Sequence, residues 1–390
     1  MREKIRLSDL NILYISLSTE WGTTERRCLS DAVYFRNTGG AAFVLCRQNS
    51  FLDREAEKED IPRLYFATSL DQFRQSLNFY FQIEQILKKH QFDIVHTYSV
   101  ETVTPLGAAL RSNTQIPLFL TFNENIPLKK RPFVEKFLLR RLDSVFTFSN
   151  HIQDLAHEAF PISTRKIHSL GLGLEAMVME KNPSNLDQVK LGMFIDRGMS
   201  NLRLMQGFAE CIPGILQLFH ERMNHLNLIF TFISDLHWYD HPLYNPMKRM
   251  FLERGLENHI SFETKTLRPQ SFRDIHLYIG LPHQELLSDI DVLALLGQTP
   301  VLLPRTSTRQ LLTSNGKIGE TYYPGDGREL KEKALRIFTN YEYYMDQLMA
   351  LAPNLMEFHN VDRYSEALDS QYERLYAQRL RYSQVKRKLA

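Results

Sequence analysis

Cysteine is scarce in this chain of 390 residues: there are three, Cys28, Cys46 and Cys211, with no C-x-x-C pair among them. An odd number at such wide spacing excludes a disulfide framework and a thiolate zinc site, and it fits a reducing compartment, the cytoplasm. Long apolar runs are absent as well. No segment approaches the roughly 18 consecutive apolar residues of a membrane-spanning helix. The run Ile12 to Leu17, behind a charged start, is too short for a secretory leader. Charge of one sign is also missing: 47 Lys and Arg against 45 Asp and Glu leave a formal net charge of +2, so no global field selects a nucleic-acid partner. There is no short-period repeat, no low-complexity tract and no G-x-S-x-G elbow, which removes solenoids and the α/β-hydrolase mechanism.

What is present is an alternation. Asn11 to Leu17 reads as a buried strand, Glu25 to Asn37 as a helix stopped by Gly39-Gly40, and Ala42 to Cys46 as the next strand. Asp71 to His90 is amphipathic. Phe92 to His96, Pro117 to Phe122 and Ser144 to Ser149 are further strands, with helices at Pro105 to Arg111 and Arg131 to Leu142. A second set follows: strands at Leu191 to Ile195, Leu228 to Ile233, Ile260 to Phe262, Ile275 to Ile279 and Pro300 to Leu303, with helices at Leu202 to Met223, Met247 to Arg254 and Ser288 to Leu296. Glu329 to Thr339 and Val361 to Leu380 close the chain as helices. Alternating strands and helices imply right-handed crossovers and doubly wound parallel sheets. The polar stretch Asn182 to Gln188 reads as the linker between two such domains. In sheets of this kind ligands lie outside the carboxyl ends of the strands, so two facing sheets favour a reaction that joins two substrates.

The order of local sequences resembles glycosyltransferase family 4. Asn11 to Arg47 is similar to that family's opening strand, glycine turn and helix start. Phe92 to His96 matches its D-[IV]-[IV]-H strand, and Asp143 to Ser149 the strand that closes the first domain. Asp274 to Glu285, Ala294 to Val301 and Tyr323 to Asp326 follow in the family's order. The resemblance implies the GT-B fold: two facing Rossmann-like domains, residues 1–175 on the acceptor side and 176–362 on the nucleotide-sugar side, with 363–390 as a C-terminal helix crossing back and a basic tail. It further implies retaining transfer from a nucleoside diphosphate sugar to a glycan or lipid-linked acceptor. No metal is expected, because basic side chains and helix N-termini neutralise the diphosphate in this fold.

Set on the family's pattern, Glu285 is the first glutamate of the E-x7-E pair and is the candidate contact to the donor sugar. The second glutamate falls on Leu293, which has no acceptor oxygen for a ribose. Gly22 of the first loop remains, but Thr23 replaces its glycine partner. Asn123 stands where a loop histidine belongs, and His96 ends its strand on the acceptor side. Met193 replaces an arginine, leaving Arg197 as the candidate diphosphate cation. Ser234-Asp235-Leu236-His237 replaces the G-x-G-P turn and puts a carboxylate where phosphate approaches. Catalytic candidates are therefore Glu285, Asn123 and His96, and donor-binding candidates Gly22, Thr23, Arg197, Ser234 and Leu293. The losses keep a second outcome open: a GT-B protein without catalysis, serving as a binding, scaffold or regulatory subunit.

His237 and His241, near Asp235 and Asp240, have the composition of a metal site, but Pro242 breaks the helical spacing such a pair needs. Lys129, Lys130, Arg131, Arg140 and Arg141, interleaved with Phe133 and Phe137, are a candidate contact to an anionic membrane at its inner face.

Overall fold

The computed structural model describes residues 7–66, 77–111, 113–124, 133–175, 188–197, 199, 202–223, 226–282 and 285–389. They form two compact units. Unit 1 takes the chain up to Gly173 and again from Val361, and unit 2 is Leu174–Asn360.

Short β-branched and aromatic runs bounded by small polar residues make the strands of unit 1. These are β1 (Asn11–Ile15), β2 (Ala41–Cys46), β3 (Arg63–Tyr65), β4 (Ile94–Thr97), β5 (Leu118–Phe122), β6 (Ser144–Thr147) and β7 (Ile167–Ser169). Every pairing is parallel, in the order β3-β2-β1-β4-β5-β6-β7. The helices between them are α1 (Thr23–Asn37), α2 (Phe51–Lys58), α3 (Leu77–His90), α4 (Val100–Ala109), α5 (Phe133–Leu139) and α6 (Asn150–Ala159). Ser50 caps α2 and Ser149 caps α6, each hydroxyl accepting a backbone N–H of the first turn.

Unit 2 repeats the plan with β8 (Gln188–Phe194), α7 (Leu202–Arg222), β9 (Asn227–Ser234), α8 (Tyr244–Leu252), β10 (Ile260–Thr264), β11 (Leu277–Ile279), α9 (Asp289–Leu296), β12 (Val301–Pro304), α10 (Ser307–Leu312), β13 (Gly319–Tyr322), α11 (Gly327–Thr339) and α12 (Tyr341–His359). Its sheet is parallel throughout, ordered β10-β9-β8-β11-β12-β13. In each sheet the winding direction reverses beside the first strand, between β1 and β4 and between β8 and β11. The carboxyl ends there are the expected ligand positions.

The last helix, α13 (Val361–Leu389), packs on unit 1. Tyr364, Leu368, Tyr372 and Leu375 enter the same core as Ile12, Tyr14, Cys28 and Phe146. A buried polar knot lies beneath it. Arg27 pairs with Asp31 at 2.7 Å and donates to the carbonyls of Leu172 and Gly173 at 3.2 and 2.8 Å. Asp31 also accepts from the hydroxyls of Tyr98 and Tyr364. Gly173 has a φ of +63°, and a Cβ there would lie 2.5 Å from Arg27 Nη1, so glycine is required where the chain leaves the unit. Burial pushes the thiols of Cys28 and Cys46 up, the latter to about 12, so both are inert core residues.

The sequence expectation holds for the doubly wound sheets and omits six short elements, β3, β7, β13, α2, α6 and α10, together with the longer α12. Helix α4 starts at Val100 and runs through Pro105, which costs it one backbone bond rather than ending it. Of the expected linker, residues 182–187 lie outside the described residues, and Gln188 already opens β8.

Candidate functional site

The carboxyl edge of the unit 2 sheet gathers several of the candidates. Because all its strands run parallel, the residues that follow them emerge on one side: Arg197 after β8, Ser234 and Asp235 after β9, Glu285 beyond β11. The strands concerned, β9, β8 and β11, are neighbours. Glu285 is half-buried in the connection to α9, ahead of Ser288, which caps that helix through Ile290 N–H.

The geometry of this edge is one of internal compensation. Arg197 Nε lies 2.8 Å from Asp235 Oδ2, with the two side chains 18% and 8% exposed. Two departures noted separately in the sequence, a displaced cation and an added carboxylate, are therefore partners. The turn around them is tied down. Ser234 is fully buried, and its hydroxyl accepts from Leu236 N–H at 3.2 Å while its carbonyl accepts from Lys265 N–H at 2.9 Å. Trp238 Nε1 donates to the Glu263 carbonyl at 3.0 Å. His241 Nδ1 accepts from Leu243 N–H at 3.1 Å, so its Nε2 carries the proton and donates to the Asp196 carbonyl at 3.2 Å. That second bond joins the turn after β9 to the residue beside Arg197. Burial lowers the pKa of His241, which keeps this neutral tautomer. No group of three metal-binding side chains occurs among the described residues.

Two more cations on this edge were not found by sequence reasoning. Lys265, after β10, bonds Asp274 at 2.6 Å and Glu263 at 2.7 Å. Arg305, after β12, stacks over the Tyr323 ring at 4.0 Å and pairs with Glu329. Neither matches a family motif, and their position is known only once the strand ends are. Each, like Arg197, already holds a carboxylate.

Leu293 packs in the core among Phe194, Ile233 and Tyr278 and offers no polar atom. Met193 is fully buried in β8. Gly192 answers a packing need, since a Cβ there would sit 2.7 Å from Ile275 Cγ2.

On unit 1, Gly22 caps α1 with an ordinary φ of −111°. Its N–H donates to Glu25 Oε2 at 3.0 Å, and Glu25 Oε1 accepts from Ser16 at 3.0 Å. The helix terminus is thus closed by its own glutamate, and Thr23 is buried at 1% exposure. In this structure the Glu25 carboxylate takes the Gly22 N–H, at the terminus where Gly22 and Thr23 are the expected phosphate contacts. Asn123 follows β5 at the carboxyl edge, as expected, but is 1% exposed.

His96, the other acceptor-side candidate, lies in the core. It is fully buried, with Nδ1 2.5 Å from the Tyr372 hydroxyl, Nε2 2.9 Å from the Thr121 hydroxyl, and its ring stacked on Tyr98 at 4.4 Å. It serves the packing of α13 through Tyr372. Desolvation, then the Arg27 charge, pushes its pKa down from 6.5 to about 3. Imidazole nitrogen shifts of His96 are expected to show a neutral ring at pH 5, and titration near pH 6 would contradict this burial. The unfolded chain takes up the proton below 6.5 and the native one does not. The stability His96 contributes is therefore whole above pH 6.5 and is lost as the pH falls from there toward about 3.

In the basic run, Lys129, Lys130 and Arg131 lie outside the described residues, and Arg140 is exposed. Arg141 is turned inward, bonding Asp143 at 2.7 Å and the carbonyls of Ile116, Asn113 and Leu110, so it is a structural cation and not a surface one. No described helix is long and apolar enough to cross a membrane.

Comparison with known proteins follows the same division. Residues 24–175 match the family model Glycosyltransferase Family 4. No curated protein sequence matches the chain. Among solved structures, a glycosyltransferase from Rickettsia africae superimposes with a TM-score of 0.70 at 16% identity, covering 94% of this chain and 98% of its own. Anabaena HepE in complex with UDP-glucose gives 0.65 at 17% identity, over 93% and 100%. Sucrose-phosphate synthase from Thermosynechococcus elongatus gives 0.66 at 13% identity, over 95% and 100%. The chain has the GT-B fold, and the match to the family model falls almost wholly on its first unit.

Proposed function

We propose that the chain is a glycosyltransferase-like protein that takes a nucleoside diphosphate sugar on unit 2 and a glycan or lipid-linked acceptor on unit 1, with retention at the anomeric carbon. The observation that carries this reading is the carboxyl edge of the second sheet, where Arg197, Ser234 and Glu285 follow three adjacent strands. The likeness to HepE, solved with UDP-glucose, supports a nucleotide sugar as the ligand class. Glu285 would accept from sugar hydroxyls, and Arg197 would face the diphosphate. Protein groups rather than a metal would neutralise the donor, and the setting would be cytoplasmic, at most peripheral to a membrane.

A second reading has a specific observation behind it. The Arg197–Asp235 pair and the apolar Leu293 remove a free cation and a ribose acceptor from the donor side. A GT-B subunit that has lost transfer and acts by binding would keep the fold and lose these groups.

Thermal shift with UDP, GDP, ADP and their sugars separates the two. The transfer reading expects saturable stabilisation by one nucleotide, about 2.7 kcal/mol at a hundred times its Kd. Glu285→Ala is expected to weaken the matching nucleotide sugar by about tenfold or more while leaving the free nucleotide unchanged. Silence toward every nucleotide at millimolar concentration would favour the binding subunit.

A further inference from the structure

We infer that Asp235 is a built-in anion that stands at Arg197 in the place of a ligand phosphate and sets how strongly this edge takes a diphosphate. The inference rests on the reading of unit 2 as the donor side. Its ground is the 2.8 Å pair on the two strand ends beside the reversal of the sheet, where a ligand is expected.

The pair is built, not incidental. Asp235 is 8% exposed, and its other oxygen, Oδ1, is buried with no hydrogen-bond partner among the described residues. Arg197 is held from behind, because the Asp196 carbonyl accepts from both Met199 N–H at 2.9 Å and His241 Nε2 at 3.2 Å. Asp235 is held by the Ser234–Leu236 turn and by the Trp238 anchor on Glu263. These bonds fix the two backbone turns from which the paired side chains project. A phosphate arriving at Arg197 meets a guanidinium whose charge is already matched, and a carboxylate of its own sign beside it. A ligand with hydroxyl or amide donors meets no such opposition. Asp235 therefore selects against highly charged ligands and toward neutral polar ones, and removing its charge exposes a phosphate-binding arginine.

The test is calorimetric titration of the full chain with sodium pyrophosphate and with UDP, GDP and ADP. Wild type, Asp235→Asn, and the double variant Arg197→Gln with Asp235→Asn are compared, each checked for its circular-dichroism melt. Asp235→Asn is expected to bind pyrophosphate about tenfold to a hundredfold more tightly than wild type, and the double variant to lose that gain. A parallel gain for one nucleotide supports both the inference and the donor reading. A gain for pyrophosphate alone supports the inference and ends the donor reading. If wild type binds a nucleotide and Asp235→Asn is no tighter for either probe, the inference is overturned and the donor reading survives. If nothing binds to any form, both are overturned. Wild type supplies a check independent of how the variants fold. The Arg197 Nε–H resonance, assigned by its loss in Arg197→Lys, is expected to stay in place at 10-fold excess pyrophosphate, on the order of the gain above. Its movement would show that Asp235 does not shield it.

Discussion

A chain ended at Asn360 is expected to lose the fold of unit 1. Tyr364, Leu368, Tyr372 and Leu375 are all buried in that unit's core, and each apolar side chain of this size contributes about 1.5–3 kcal/mol by leaving water. Together they supply about 6–12 kcal/mol. That is as large as the whole stability of a domain, roughly 5–15 kcal/mol. The polar losses add to this. Asp31 would lose the Tyr364 hydroxyl at 2.9 Å and the Arg27 guanidinium its stacking over the Tyr364 ring at 4.4 Å, while His96 would lose Tyr372. Tyr376 bonds Asp93 at 2.8 Å, Tyr34 bonds Asp369 at 2.8 Å, and Arg379 pairs with Asp143, so the helix is keyed along most of its length. Proteolysis of the shortened chain should cut within the first 173 residues and spare the stretch 188–359. A cooperative melt of unit 1 without α13 would show that the helix is an accessory.

The central strands were legible in the sequence because burial on both faces makes them short continuous apolar runs. β1, β4, β5 and β6 in unit 1, and β8, β9 and β12 in unit 2, read that way. β3, β7 and β13 did not, and each is the outer strand of its sheet, three or four residues long with polar members. For the site, the sequence showed which groups had changed but not what had happened to them. Leu293 was readable as a lost acceptor from its type alone. His96 was placed on the correct strand, yet its covering residue, Tyr372, is 276 positions away, and no local pattern reports that contact. Arg197 and Asp235 looked like a surviving cation and an intrusive carboxylate. Only the adjacency of β8 and β9 makes them one neutral pair. Gly22 and Thr23 matched a phosphate loop by position, and the competing feature, Glu25 three residues on, was visible but belongs equally to ordinary helix capping.

Asp291→Ala is expected to destabilise unit 2 by about 3–5 kcal/mol, the cost of stranding a buried charge. Asp291 on α9 and Arg309 on α10 are each 1% exposed and bond at 2.9 Å. Desolvation raises the pKa of Asp291, and the Arg309 charge opposes that rise, so the carboxylate depends on its partner. Arg309 is shut off from bulk solvent, being among the largest fully buried side chains of the described residues. Tyr278 and Tyr322 close the site, the latter donating to the Gly280 carbonyl at 2.9 Å. The alternative outcome is informative because the pair itself is not expected to be worth what its disruption costs. Desolvating two ions consumes most of their attraction, so replacing both with apolar groups of similar volume is often neutral or stabilising by about 1–4 kcal/mol. Asp291→Leu combined with Arg309→Met should therefore recover most of the urea midpoint that Asp291→Ala loses. If Asp291→Ala unfolds at the wild-type urea concentration, the two side chains do not form a buried pair in solution. If the double variant is as unstable as the single one, the ion pair holds α9 and α10 in register in a way that apolar packing cannot replace.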